Sequence, residues 1–120
     1  MILIFLIGTS SCSGESDLDK IKREFTDSGF EVSDTSKIIE AIQLIGLEDI
    51  FYLTHSNEPH VYAAILVFDS ATTADASYFD NKEIVSKIGK YALYARVKKG
   101  GTGQFDIFID KFKEIVSNYS

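Results

Sequence analysis

The chain's pattern predicts an α+β domain built on an antiparallel sheet. Three observations carry the prediction: β-rich runs over 50–54 and 61–68 flank a short polar turn, apolar residues recur at helical spacing before and after them, and glycines stand at the ends of the helical stretches. With 45% hydrophobic residues, nine Phe and six Tyr in 120 residues, the chain has enough apolar mass for one core and too little length for two domains.

Leu18, Ile21 and Phe25 recur at helical spacing and Gly29 follows, so the first element is an amphipathic helix over about 17–28. Phe30 to Ser33 alternates as a short strand. Asp34, Thr35 or Ser36 caps a second helix that carries Ile38, Ile39, Ile42 and Ile45 and closes at Gly46. Ile50 to Thr54 and Val61 to Phe68 form a hairpin around His55-Ser56-Asn57-Glu58-Pro59-His60, where Asn and Pro favour a turn. The second arm places Val61, Ala63, Ile65 and Val67 on one face and Tyr62, Ala64, Leu66 and Phe68 on the other. Two apolar faces require cover on both sides, so this strand is expected at the sheet's centre.

Asp69 or Ser70 caps a third helix with Ala71, Ala74, Tyr78 and Phe79. Residues 84–97 read as one returning strand, and the last helix carries Phe105, Phe108, Ile109, Phe112, Val116 and Tyr119 on one stripe. From Phe30 onward the order strand, helix, strand, strand, helix, strand matches the ferredoxin-like split βαβ antiparallel sheet. The N- and C-terminal helices are then extra elements, placed to cover the second sheet face.

Residues 1–12 carry a different message. Ile2 to Ile7 are an apolar core, Gly8 to Ser11 are small, and the chain's only cysteine, Cys12, follows. An export signal needs that order, because its core enters the bilayer and the cleaving protease accepts only small side chains. With Thr9 where Leu is usual, these residues resemble the lipobox of bacterial lipoproteins. The resemblance implies a signal peptide over 1–11, a lipid attached at Cys12 and a location on the outer side of the bacterial cell membrane or envelope. A start upstream of Met1 accounts for the short core and for the lack of Lys or Arg before Lys20. Residues 12–16 then form a tether, and 17–120 the domain. The competing reading makes Ile2 to Ile7 a buried strand and Cys12 an ordinary thiol. The run is too short for a transmembrane helix, which takes about twenty apolar residues.

The net charge of −6 disfavours general nucleic-acid binding, whose affinity comes largely from Lys and Arg neutralising phosphates. The run 61–68 resembles the aromatic strand of RNA-recognition motifs, but Ala64 stands where a stacking aromatic is needed. No catalytic set and no cofactor signature is legible. His55, Glu58 and His60 share a turn without a fourth zinc ligand. Lys98-Lys99-Gly100-Gly101-Thr102-Gly103 precedes a helix but lacks the Gly-Lys-Ser/Thr ending of a phosphate loop, so it reads as a connection.

One basic cluster stands against the acidic whole. On a strand over 90–98, Lys90, Tyr94, Arg96 and Lys98 share a face that suits anionic lipid or an acidic protein partner; the alternative is a solvated edge strand guarded by its charges. Two functional readings follow. The first is a lipid-anchored, non-enzymatic binding or accessory module. The second, on the similarity of Phe68 to Ile84 to the helix region of dimeric α/β-barrel proteins, is a ligand-binding or enzymatic cavity between two sheet faces, which requires one face to be uncovered.

Overall fold

The structure, a computed structural model, describes residues 16–34 and 44–119. Cys12, the expected signal peptide, most of the tether and most of the helix expected over 34–45 lie outside the described residues. The described elements are α1 (Asp17–Asp27), β1 (Glu31–Ser33), β2 (Leu47–Thr54), β3 (Val61–Phe68), α2 (Ala71–Asp80), β4 (Ile84–Ile88), β5 (Tyr91–Val97) and α3 (Asp106–Val116), the last followed by a 3-10 turn, Ser117–Tyr119.

The strands form one antiparallel sheet in the order β1-β2-β3-β5-β4. That order corrects the interleaved arrangement expected from sequence. β1 and β2 are hydrogen-bonded neighbours, with Val32 opposite Leu53, whereas the split plan places a third strand between them. The single strand expected over 84–97 is two strands, because Gly89 turns the chain with φ +57 and folds β5 back onto β4. β5 then slots between β3 and β4. As a result β3, α2 and β4 make one split β-α-β crossover around β5, where the expected plan places the first strand between the two.

Each local element has its cause in the residues. Ser16 caps α1 by accepting the Asp19 N–H, and Gly29, at φ +97, lets the chain leave the helix. The Ser70 hydroxyl accepts from the Thr73 N–H at 3.2 Å and caps α2. Bulges at Glu48 and Val85 shift the register of β2 and β4, and they increase the local twist.

β3 has both faces buried, as its two apolar rows require. Val61, Ala63, Ile65 and Val67 join Phe51, Leu53, Tyr91 and Leu93 against Ile21 and Phe25 of α1 and Phe108, Phe112 and Val116 of α3. At the centre of this layer Phe25 meets Phe30 and Phe51 edge-on at 5.5 and 6.4 Å, and Phe30 meets Phe108 at 5.3 Å. The first and last helices therefore cover one sheet face. That occupies the face an α/β-barrel-type cavity needs, and the second functional reading loses its structural basis.

The opposite face packs Ala64, Leu66, Phe68, Ala92, Tyr94 and Ile84 around Ala74 of α2. α2 buries only that alanine. Tyr78 is partly exposed and Phe79 is 91% exposed, so the apolar stripe expected along this helix does not face the core.

Candidate functional site

The basic face expected on residues 90–98 does not form. β5 is an interior strand, which also removes the edge-strand alternative. Tyr94 lies in the core beside Ala64, only 5% exposed, and its hydroxyl donates to Glu83 Oε1 at 3.0 Å. Burial first, and then the bond to Glu83, push that hydroxyl up to about 12. Arg96, opposite Tyr62, is half-buried. Lys90 sits in the β4–β5 turn with its ammonium 5.7 Å from the Tyr91 ring, and Lys98 sits at the other end, 5.9 Å from the Tyr62 ring. The seven residues of β5 separate the two lysines, eight steps along the strand or roughly 26 Å. A strand's alternation places side chains on one side of the sheet, but packing decides which of them reach solvent.

The turn that carries His55, Glu58 and His60 has structural employment. His55 Nδ1 accepts from the Asn57 N–H at 3.1 Å and its ring packs edge-on against Phe30. A metal at Nε2 would require Nδ1 to hold the ring N–H and so to give up the Asn57 bond. Glu58 Oε1 accepts from the Gln104 N–H at 3.3 Å. His60 lies under Gly101, where a Cβ would come within 2.8 Å of its side chain. Among the described residues, no three His, Cys, Asp or Glu side chains converge as a metal site.

The same packing explains the glycines of the 100–103 loop. A Cβ on Gly103 would stand 2.6 Å from Val61, so the loop's backbone lies directly against the start of β3. Glu58 places a carboxylate beside the Gln104 N–H, one of the donors an anion would need before α3. Both facts favour a close-packed connection over a phosphate cradle.

Among the clefts on the surface of the described residues, two differ in size and place. The smaller, about 300 Å³, is lined by Gly29, Glu31, Thr54, His55 and Ser56 at the end of the sheet. The larger, about 350 Å³, runs along α2 and is lined by Leu44, Ile45, Thr73, Ala76, Ser77, Asp80 and Asn81. Its origin is local. Thr73, Ala76, Ser77 and Asp80 recur at the spacing that puts them on one helix face, and the first three are small, so they leave a trough. Leu44 and Ile45 wall the far side.

Gly46 brings the wall close to the helix. It has φ +81, a Cβ there would lie 2.9 Å from Thr73, and its carbonyl accepts the Asp69 N–H at 2.8 Å. Thr73 in turn donates to Asp69 Oδ1 at 2.5 Å. Ile45 stands 88% exposed at the lip. Sequence reading missed this trough because its walls come from segments far apart in the chain. The one available signal was a helix richer in Ala, Ser and Thr than its apolar content required.

Among the described residues no helix is long and apolar enough to cross a membrane. Comparison with protein-family models, with curated proteins and with solved structures found no match.

Proposed function

We propose that this chain is a small lipid-anchored lipoprotein of the bacterial cell envelope, held on the extracytoplasmic side of the membrane, and that its domain acts as a non-enzymatic binding or accessory module. The observation that carries the anchor is the order of residues 1–12: an apolar core, four small residues and then the single cysteine. An unpaired cysteine in an exported chain needs a use, and thioether attachment of lipid supplies one. A single acyl chain binds a membrane only marginally, so several on one residue make the attachment lasting.

The start of the folded domain fits this reading. Ser16 caps α1 four positions after Cys12, so the tether reaches roughly 14 Å at full extension, and the domain stays next to the bilayer. Lys90 and Lys98 stand exposed at opposite ends of β5, where each offers a single charge to anionic head groups and neither forms part of a continuous basic face. The binding role rests on the trough beside α2, a surface cleft of about 350 Å³ with apolar and small polar walls.

The test is detergent phase partition of the full-length chain and of Cys12→Ser after expression in a bacterial host, with intact-mass analysis of the membrane fraction. The wild type is expected in the detergent phase, with the mass of an acylated chain that begins at Cys12, and Cys12→Ser in the aqueous phase. Aqueous partition of both proteins, with an unprocessed mass, overturns the anchor.

A further inference from the structure

We infer that the trough between α2 and the Leu44–Ile45 corner docks a cationic amphipathic peptide segment of a partner protein, with an apolar side chain against Ile45, Ala76 and Phe79 and a Lys or Arg beside Asp80. The inference rests on the binding-module reading above and names the chemistry of the partner.

Size and shape come first. At about 350 Å³ the trough lies within the range of pockets that enclose a ligand of a few side chains. Leu44, Ile45 and Ala76 supply apolar walls, and Thr73, Ser77 and Asn81 supply polar groups along the base. Two large apolar side chains stand in water here at a cost: Ile45 is 88% exposed at the lip, and Phe79 is 91% exposed on the same helix. Phe79 lies one turn beyond Ala76 and Asp75, so on the helix surface it neighbours the wall of the trough. Nearly full exposure of a phenylalanine on a helix that buries only one alanine marks a surface suited to a partner.

Charge then selects the partner. α2 carries Asp75 and Asp80 and no basic residue. Asp75 pairs with Lys87 at 2.6 Å, whereas Asp80 at the end of the trough is exposed and makes no ion pair among the described residues. The chain as a whole carries −6. Exposed Lys82 just beyond the helix offsets part of this field, and the unpaired Asp80 with the chain's net charge still favours a positively charged segment over a negatively charged one. A second copy of the chain would bring a matching Asp80 and the same net charge to a self-complementary contact, and an anionic bilayer surface would meet the same repulsion. A cationic peptide with an apolar anchor satisfies both the exposed hydrocarbon and the free carboxylate.

The experiment titrates the full-length chain with short fluorescein-labelled peptides, followed by anisotropy. One peptide alternates Leu and Lys at helical spacing, one replaces Lys by Glu, and one replaces Leu by Ser. The Leu/Lys peptide is expected to bind, and both others to bind at least about tenfold more weakly. Phe79→Ser and Asp80→Lys each alter an exposed side chain, so folding is retained, and each is expected to weaken the Leu/Lys peptide by about tenfold. Asp110→Lys, an equal change of charge at an exposed position of α3, is expected to stay within about twofold. Equal losses from Asp110→Lys and Asp80→Lys, or no loss in Phe79→Ser, overturn the inference, because binding would then follow bulk charge. Failure of the Leu/Lys peptide to bind the wild type overturns it as well. The Cys12→Ser partition experiment reports on the anchor independently, so either idea can fail while the other stands.

Discussion

Phe25 and Phe79 are the same residue on two different helices, and the structure gives them opposite energetic weight. Phe25 is fully buried between the sheet and α3, with the rings of Phe30 and Phe51 set edge-on against it. Truncating a buried Phe to Ala costs about 3–5 kcal/mol in transfer and cavity terms. The two edge-on ring contacts, each about 0.5–1.5 kcal/mol beyond area burial, move Phe25→Ala to the upper part of that range. Phe79 has almost no contact to lose, so Phe79→Ala is expected to change stability by less than about 0.5 kcal/mol. Urea unfolding followed by far-ultraviolet circular dichroism reads both. With a slope near 2 kcal/mol/M, Phe25→Ala lowers the midpoint by roughly 2 M and Phe79→Ala leaves it nearly unchanged. For a domain whose total stability is about 5–15 kcal/mol, the first variant sits near the edge of folding. Comparable midpoints in the two variants, or a larger loss in Phe79→Ala, would show that α1 is not part of the packed layer and would undo the account of the core.

Two further expectations concern single positions. Gly46→Ala puts a Cβ at φ +81 and within 3.0 Å of Thr73 and Asp69, so it is expected to cost about 2–3 kcal/mol by thermal or urea unfolding. Gly100→Ala meets no neighbour within 4 Å at φ +82 and is expected to cost only the backbone strain, about 1 kcal/mol; equal losses in the two would contradict the close approach at Gly46. The Tyr94 hydroxyl, raised by burial and by its bond to Glu83, makes stability depend on alkaline pH. Below pH 10 it is protonated in both states and its contribution is intact; as pH rises from 10 toward about 12 the unfolded state loses its proton first, and the contribution drains away. Two pH units correspond to at most about 2.7 kcal/mol, and solvent around the exposed Glu83 cuts that to about half. Tyr94→Phe is expected to be about 1 kcal/mol less stable than wild type at pH 9, with the gap closing above pH 11 in parallel urea titrations; a gap that stays constant across that range argues against the Tyr94–Glu83 pair.

Much of the local structure is legible from composition and spacing, and the failures are instructive. The two apolar rows of Val61 to Phe68 require a central strand with cover on both sides, and burial follows that requirement at every position except Tyr62, which is half-buried. Gly29, Ser70 and the Leu18, Ile21, Phe25 spacing mark helix ends and faces that the structure keeps. The strand over 84–97 fails at Gly89, a glycine between two apolar runs, which is itself a turn signal. The candidate basic face fails for a different reason. Lys90, Tyr94, Arg96 and Lys98 do alternate, but Tyr94 belongs to the core that α2 covers, and nothing in the spacing of β5 reveals that cover. The trough was invisible because Leu44 and Ile45 meet α2 only after Gly46 brings the two segments together.

The amino-acid order by itself determined the helix and strand periods, the capping and turning residues, the demand for one two-faced central strand and the acidic charge that bears on partners. These are properties of neighbours along the chain, set by side-chain spacing, backbone freedom and charge. Tertiary structure alone decided that β5 enters between β3 and β4, that α1 and α3 seal one face, and that small residues of α2 meet an exposed isoleucine across a trough. Every strand presents similar hydrogen-bonding edges whatever its side chains, so the partner each edge takes is settled by how the apolar faces close around one another.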